Sequence, residues 1–454
     1  MSRKRISRRK FVGDVGAGVA FTIVPRHVLG RGYRAPSDKL NVACIGVGGM
    51  GRNDVRGMEG ENIYALCDVD WKSAEDAFQT YIKAKRYRDY REMFDKESKN
   101  IDAVTVSTPD HSHAAAGMLA MKAGKHTYIQ KPLARTMGEV RALGDYARSH
   151  PKIMTQMGNQ GHARDGTRQI REWVEAGAIG TVREVHFWTN RPIWPQAIDR
   201  PLEEYYAPTT LDWNLWLGPA PERPYHPAYA PFKWRGFWDF GTGALGDMAC
   251  HIMDAAYWTL DLGYPTHIEA ESTPLFKETA PAGSRISYTF AAKSKRPEVK
   301  VVWRDGSLYP PRPAEVADEL AWPFDKGGGQ LWIGSDGKLT AGTYGDDPKL
   351  LTPTKQGVAS GDPPPPPPSP PAQQPKYPHS PGVYAEWIAA CKGGSPAGST
   401  FDGHAGGLTS MVLLGCLAVR CGRALEVNPE NGQVTNLNVP EEYIHPHYRS
   451  GWSL

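Results

Sequence analysis

Cysteine is scarce. The chain has six in 454 residues (Cys44, Cys67, Cys250, Cys391, Cys416 and Cys421), with no CxxC pair and no regular spacing. That excludes a disulfide framework, and thiols inside apolar runs, such as Cys44 and Cys67, read as space-filling core residues. Long hydrophobic runs are also missing near the N-terminus. The apolar stretch from Phe11 to Pro25 is too short to span a bilayer and is broken by Asp14, so no membrane span is expected. The body of the chain has no excess of positive charge either. Residues 1–34 hold nine Lys or Arg and one Asp, which leaves 44 basic against 48 acidic side chains from residue 35 onward, although the formal total is +4. A mildly acidic body offers phosphate backbones no general attraction, so no nucleic acid partner is expected. No internal repeat is visible.

What is present begins with a basic segment (Arg3, Lys4, Arg5, Arg8, Arg9, Lys10) followed by the apolar stretch. This layout is that of a targeting peptide, and the Arg8–Arg9 pair resembles the twin-arginine class, although no small-x-small cleavage site follows. Residues 1–34 are therefore read as a signal and arm, and the protein as periplasmic or exported by that route.

From Leu40 onward, continuous apolar runs (LNVACIGVG, NIYALCDVD, IDAVTVSTP, KHTYIQKP, KIMTQMGN) alternate with helix-like segments (SAEDAFQTYI, HAAAGMLAMKAG, EVRALGDYARSH). Strands of that kind separated by helices predict an α/β domain with a parallel sheet covered on both faces, over residues 35–157. Beyond it, over residues 158–454, a helix-like RQIREWVEAG leads into strands rich in β-branched and aromatic residues (TVREVHFWTN, THIEAEST, RISYTFAA, EVKVVWRDG, QLWIGSDGKLTAG). These predict a second α/β domain with a largely antiparallel open sheet. The proline run near residues 361–375 reads as an exposed loop, and GVYAEWIAACKGG and GLTSMVLLGCLAVRCG as two helices that return to close the second domain.

The first chemical motif is GVGGMG. It places Gly46, Gly48 and Gly51 in G-x-G-x-x-G register, with Gly49 and Met50 between them, after a strand and at the start of a helix. In a dinucleotide fold these glycines permit a tight turn, close approach to a pyrophosphate, and close helix–strand packing. A second strand ends at Asp68, 22 residues after Gly46, where a carboxylate can accept bonds from an adenosine ribose diol. The same charge would repel a 2′-phosphate and no arginine immediately follows, so NAD is favoured over NADP.

Two further signatures, STPDHSH with QKP (Ser107 to His113, Gln130 to Pro132) and GALGDMACHIMD (Gly243 to Asp254), stand in order behind the glycine turn. Together the three resemble the Gfo/Idh/MocA oxidoreductases, the family of glucose-fructose oxidoreductase and inositol 2-dehydrogenase, over nearly the whole chain after the signal. The resemblance implies a Rossmann domain followed by an α/β domain whose open sheet walls a sugar site and often pairs with a sister subunit, hence a homo-oligomer. It also implies that Lys131, Asp247 and His251 contact the reacting alcohol, and that Ser107, Thr108, Pro109, His113, Gln130 and Lys131 border the cofactor. No metal is expected, since no third ligand stands at a telling distance from His111 and His113. Chemistry agrees with the residue types. Hydride can leave an alcohol carbon only as the hydroxyl proton departs, an imidazole suits that proton, and an ammonium can stabilise the oxygen. Gln130 stands where the family has glutamate and would support Lys131 less electrostatically.

Aromatic and polar residues in GNQGH, WTNRPIWPQ and KWRGFWDFG make Asn159, Arg191, Arg235, Trp238 and Asp239 the candidate contacts to a sugar or glycoside. The expected function is an NAD-dependent oxidoreductase acting on CH–OH groups with a tightly held cofactor. Its rivals are a redox-neutral glycoside-cleaving enzyme on the same fold, and a sugar-binding protein that has lost catalysis, against which the intact Lys131, Asp247 and His251 argue.

Overall fold

β1 (Asn41–Ile45) reads NVACI, and its last four residues are buried. Such a strand must be covered on both faces, and it is. Ala43 and Ile45 pack with residues of the helices Tyr90–Glu97, Asp110–Lys122 and Met137–Ser149. Val42 and Cys44 pack on the other face with Val55, Phe78 and Trp387. The computed structural model describes residues 38–294, 296–351 and 376–454. The basic signal segment and the proline run at 361–375 lie outside the described residues.

Within Leu40–Leu454 there are two sheets. The first joins β1 to β2 (Asn62–Cys67), β3 (Lys85–Tyr87), β4 (Ala103–Val106), β5 (His126–Ile129) and β6 (Thr155–Met157) in the order 3-2-1-4-5-6, and every pairing is parallel. The strands thus deliver their C-terminal ends to one edge, where doubly wound sheets bind ligands. β3 escapes the sequence reading because its three residues, KRY, are largely exposed and mark no apolar run. Local signals place the helices. Thr136 and Glu139 form a reciprocal capping box that starts Met137–Ser149.

The second sheet has the order 13-12-11-7-10-9-8-14, formed by β7 (Val182–Thr189), β8 (His267–Ser272), β9 (Ser284–Phe290), β10 (Val299–Arg304), β11 (Gly328–Gly334), β12 (Lys338–Gly342), β13 (Lys349–Leu351) and β14 (Leu425–Glu426). Only the β7–β10 pair is parallel, so the sheet is mixed and mainly antiparallel. Val185, Phe187, Ile286, Tyr288, Trp303 and Trp332 turn one face into core shared with the helices Gly243–Ile252 and His404–Cys421. Each such side chain contributes about 1.5–3 kcal/mol through burial, so the helix Gly243–Ile252 is seated on a well-packed core. His404–Cys421 has the length and composition to cross a membrane, but 72% of it is buried in the protein, as befits a core helix. All six cysteines are free.

One expectation needs correction. Val383–Cys391, read as closing the second domain, covers the outer face of the first sheet instead. Its fully buried Trp387 joins Val42, Leu66 and Tyr128, and its indole N–H donates to the Met154 carbonyl. Apolar periodicity reveals that a helix has a face to bury, not which sheet receives it.

Candidate functional site

The glycine turn sits where β1 ends. Gly46 has φ +76°, and a Cβ there would lie 2.6 Å from the Ser107 carbonyl oxygen. Gly51 is equally constrained, because a Cβ would run into the Gly46 carbonyl oxygen. The turn is therefore tight against both its own helix and the loop after β4, as a dinucleotide cradle requires. Gly48, Gly49 and Met50 face a cavity of about 690 Å³, and Gly51 packs behind them. Asp68 also lines this cavity. Its carboxylate accepts the N–H groups of Val47 (2.8 Å), Gly48 (3.1 Å) and Asp70 (2.9 Å). Burial raises the carboxyl's pKa against these bonds. With about four acceptor sites on a carboxylate, Asp68 shapes the glycine turn and still has one free.

The same cavity continues past Ser107, Thr108, Pro109 and Gln130 to Lys131, Asp247 and His251, which converge from two domains. Lys131 Nζ donates to the Asp247 carboxylate (3.0 Å) and to the Asp247 carbonyl oxygen (2.7 Å). Arg235 Nε donates to the same carboxylate oxygen (3.1 Å). Burial by itself would raise the Asp247 carboxyl, but the Lys131 and Arg235 charges outweigh it and hold the group well below the usual range. His251, one turn further along the helix, stands edge-on to Tyr344 with ring centroids 4.9 Å apart. Burial, then the Lys131 charge, pushes its imidazole down to about 3, so it is neutral at ordinary pH.

Sequence reasoning missed several parts. Asp110 opens the helix after β4, lines the cavity and accepts the Thr242 hydroxyl (2.8 Å); burial pushes its carboxyl up to about 7 despite the Lys131 charge. Trp194, Phe232 and Tyr344 line the same space. Behind Lys131, Gln130 Nε2 donates to both oxygens of Asp54 (2.9 and 3.0 Å), and its Oε1 accepts the Lys131 N–H (3.3 Å). Asp54 also accepts the hydroxyls of Ser107 (2.5 Å) and Tyr384 (2.7 Å). No periodicity marks such a network, since its members lie up to 330 positions apart.

Of the sugar-contact candidates, Arg191 and Arg235 line the cavity, whereas Asn159, Trp238 and Asp239 do not. Asn159 is fully buried and donates to Asp254 (3.3 Å). Trp238 is core, with Arg420 stacked on its ring at 5.0 Å. Asp239 pairs with Arg223. His113 is corrected as well. Its buried ring joins the Pro132 and Thr108 carbonyl oxygens (2.8 Å each), bracing two cavity loops from behind rather than bordering the cofactor. Among the described residues one group could offer three metal ligands, His162, Asp254 and His404. In this structure they form a buried hydrogen-bonded cluster, with His162 Nδ1 at 3.1 and 3.2 Å from the Asp254 oxygens and His404 Nε2 on the same carboxylate. The cluster ties the loop after β6 and the helix His404–Cys421 to the segment that follows His251.

Two family models match the chain. Residues 40–158 fit the oxidoreductase family's NAD-binding Rossmann fold, and residues 167–296 fit its C-terminal alpha/beta domain. Together they take in more than half of the chain. Among named relatives, inositol 2-dehydrogenase of Salmonella typhimurium is 27% identical over 152 residues, 32% of this chain and 45% of that protein. An alpha-N-acetylgalactosaminidase of Shewanella oneidensis is 30% identical over 204 residues, 38% and 44% respectively. The chain thus matches under half the length of these relatives. Solved structures share the fold. The WlbA dehydrogenase of Bordetella pertussis, in complex with NADH and UDP-GlcNAcA, superposes with TM-score 0.58 at 16% identity, over 86% of this chain and 99% of that one. Levoglucosan dehydrogenase, in complex with NADH and levoglucosan, gives 0.56 at 18% identity over the same shares.

Proposed function

The chain belongs to the Gfo/Idh/MocA oxidoreductase family, and on that premise we propose that it is an NAD-dependent oxidoreductase acting on the CH–OH group of a sugar, glycoside or polyol. One observation carries this reading: the glycine turn and Lys131, Asp247 and His251 open onto a single cavity. The residues present fit a dinucleotide. The turn admits no side chain at Gly46 or Gly51, and Asp68 keeps an acceptor free beside it. When bound, the nicotinamide supplies the acceptor for hydride. The chain supplies the rest. Neutral His251 takes the hydroxyl proton, and the Lys131 ammonium, held by Asp247, stabilises negative charge on the oxygen as the C–H bond breaks and a carbonyl forms.

A second reading has an observation of its own. Asp110 provides a further carboxyl in this cavity, poised near neutrality, which could take the C–H proton next to a newly formed carbonyl and so start elimination from a glycoside. The similarity to an alpha-N-acetylgalactosaminidase agrees with it. Incubating the purified protein with sugars and glycosides, while scoring keto products, reduced nicotinamide and released aglycone, separates the two. His251→Ala is expected to abolish every signal and to leave dinucleotide retention intact. Unchanged turnover in that variant would refute both readings.

We also propose export by the twin-arginine route, which carries folded proteins and so suits an enzyme that leaves with its dinucleotide loaded. The Arg8–Arg9 pair before an apolar stretch supports it. Residues 1–34 fused to a reporter are expected to deliver it outside the inner membrane, and Arg8→Lys with Arg9→Lys to retain it inside. The homo-oligomer is likewise a proposal, which sedimentation at micromolar concentration tests.

A further inference from the structure

We propose that the substrate is an anionic sugar, bearing a carboxylate or sulfate ester, and that Arg191 is the residue that reads its charge. The inference rests on the oxidoreductase reading for the location of the site, and on three observations for the charge.

The first is an unpaired guanidinium. Arg191 follows β7 and lines the cavity. Its backbone is fixed on both sides, the N–H donating to Thr189 Oγ1 (3.3 Å) and the carbonyl accepting the Gly306 N–H (2.6 Å). Its side chain spends one N–H on Asn190 Oδ1 (2.5 Å), and no carboxylate among the described residues pairs with it. Five N–H donors in a rigid fork, with one engaged, leave an edge that matches a planar oxyanion.

The second is charge balance around the reacting centre. Lys131, Arg191 and Arg235 all face the cavity there. Asp247 is shared between Lys131 and Arg235, and the Arg191 side chain bonds Asn190 instead. The other carboxyl beside Lys131, Asp110, accepts from Thr242 and is pushed toward neutrality by burial, while Asp68, Asp70 and Asp89 line the cavity as well. This end of the cavity therefore carries net positive charge, which in a recess with low-dielectric walls concentrates anions.

The third is placement. Trp194, three residues after Arg191, lies 5.8 Å from the Arg235 guanidinium and makes an edge contact with Phe232 at 6.0 Å. Since Arg235 bonds Asp247, this chain of contacts puts Trp194, and with it the segment that carries Arg191, on the Asp247 side of the cavity, whereas a dinucleotide's own phosphates belong at the glycine turn. Aromatic faces for the sugar's C–H surface and a fork for an exocyclic anion thus stand together.

The test is calorimetric titration of the NAD-loaded protein with methyl β-D-glucuronide, methyl β-D-glucoside 6-sulfate and methyl β-D-glucoside, and with the galacto series, followed by turnover assays on the same compounds. At least one anionic glycoside is expected to bind about tenfold more tightly than its neutral counterpart, the range for one charge-assisted bidentate contact. A uronide preference identifies the carboxylate, and the reverse the sulfate. R191Q is expected to collapse the anionic-to-neutral ratio to within about threefold, and R191K to restore part of it through charge without the fork. Should R191Q fail to fold, wild-type salt dependence decides, because affinity for the anionic compound falls from 20 to 300 mM NaCl and that for the neutral one does not. Neutral compounds that bind as well as anionic ones, or an R191Q that leaves the ratio standing, overturn the inference. If anionic compounds bind but none yields a keto product or reduced nicotinamide, the oxidoreductase reading falls and this one stands; oxidation of neutral sugars alone does the opposite.

Discussion

Replacing Asp247 by asparagine keeps the shape of the side chain and removes the charge that two cations share. In the native site Lys131 Nζ and Arg235 Nε lie 3.0 and 3.1 Å from one carboxylate oxygen, and the three side chains are only 13–20% exposed. Stripping the partner from a fully buried ion costs about 3–5 kcal/mol. Partial exposure screens the remaining cations, so about 2–3 kcal/mol is expected for D247N. Removing the lysine instead, as K131M, leaves Asp247 paired with Arg235 and costs about 1 kcal/mol or less. The double variant keeps a single cation facing no carboxylate. Its loss therefore falls short of the sum of the two singles, by a coupling of about 1–2 kcal/mol. Urea unfolding of the four proteins at matched cofactor loading measures this cycle. A D247N protein within about 0.5 kcal/mol of wild type, or strict additivity, would show that the ion pair is not organised as described.

Three further variants probe Asp110, Gln130 and Gly46. Asp110 has a raised folded-state pKa of about 7. Its contribution to stability is present at low pH and is lost as pH rises through that value, so D110N is expected to stabilise the protein at pH 8 relative to pH 4 in denaturant titrations. If Asp110 serves as the base in glycoside cleavage, the limb of kcat/KM that rises near pH 7 vanishes in the same variant, while neutral His251 adds no limb above pH 4. Gln130→Glu sets a second carboxylate about 3 Å from Asp54. Its thermal midpoint should fall more at pH 8 than at pH 5, because one of the two must stay protonated. Gly46→Ala forces a left-handed backbone on alanine and drives its Cβ against the Ser107 carbonyl. It should lose at least tenfold in dinucleotide affinity, read from nucleotide released on denaturing the purified protein.

The parts of this molecule legible from sequence are those with local causes. β1, β2, β4 and β5 announce themselves as buried apolar runs, and the glycine turn as a backbone requirement of Gly46 and Gly51. Lys131, Asp247 and His251 were found through motif order, and the cavity brings them together. The misses have non-local causes. Trp238 and Asp239 sit in an aromatic, charged segment that looks like a sugar wall, yet they turn inward to meet Arg420 and Arg223, partners that lie 182 and 16 positions away. Asn159 and His113 are polar residues consumed by the scaffold, one by Asp254 and the other by two carbonyls. Sequence cannot distinguish a polar group that meets a ligand from one that meets another buried polar group, because both need a partner.

Gln130 shows how a departure from a family pattern can be absorbed. A neutral amide before the lysine removes a negative charge from that position, but it also gains two N–H donors that a carboxylate lacks. Both are spent on Asp54, so the charge reappears one residue further back, on the helix that leaves the glycine turn. Burial pushes Asp54 up to about 6, against bonds from Ser107, Tyr384 and Gln130, so above that pH the carboxylate is ionised. Its hydrogen bonds join four segments: the helix that leaves the glycine turn, the loop after β4, the lysine loop, and the helix Val383–Cys391, expected to close the second domain. Two features that look unrelated in the sequence, the missing glutamate and the misplaced helix, therefore meet at one buried carboxylate. Lys131 is thus braced through Gln130 by a carboxylate on the helix that leaves the glycine turn.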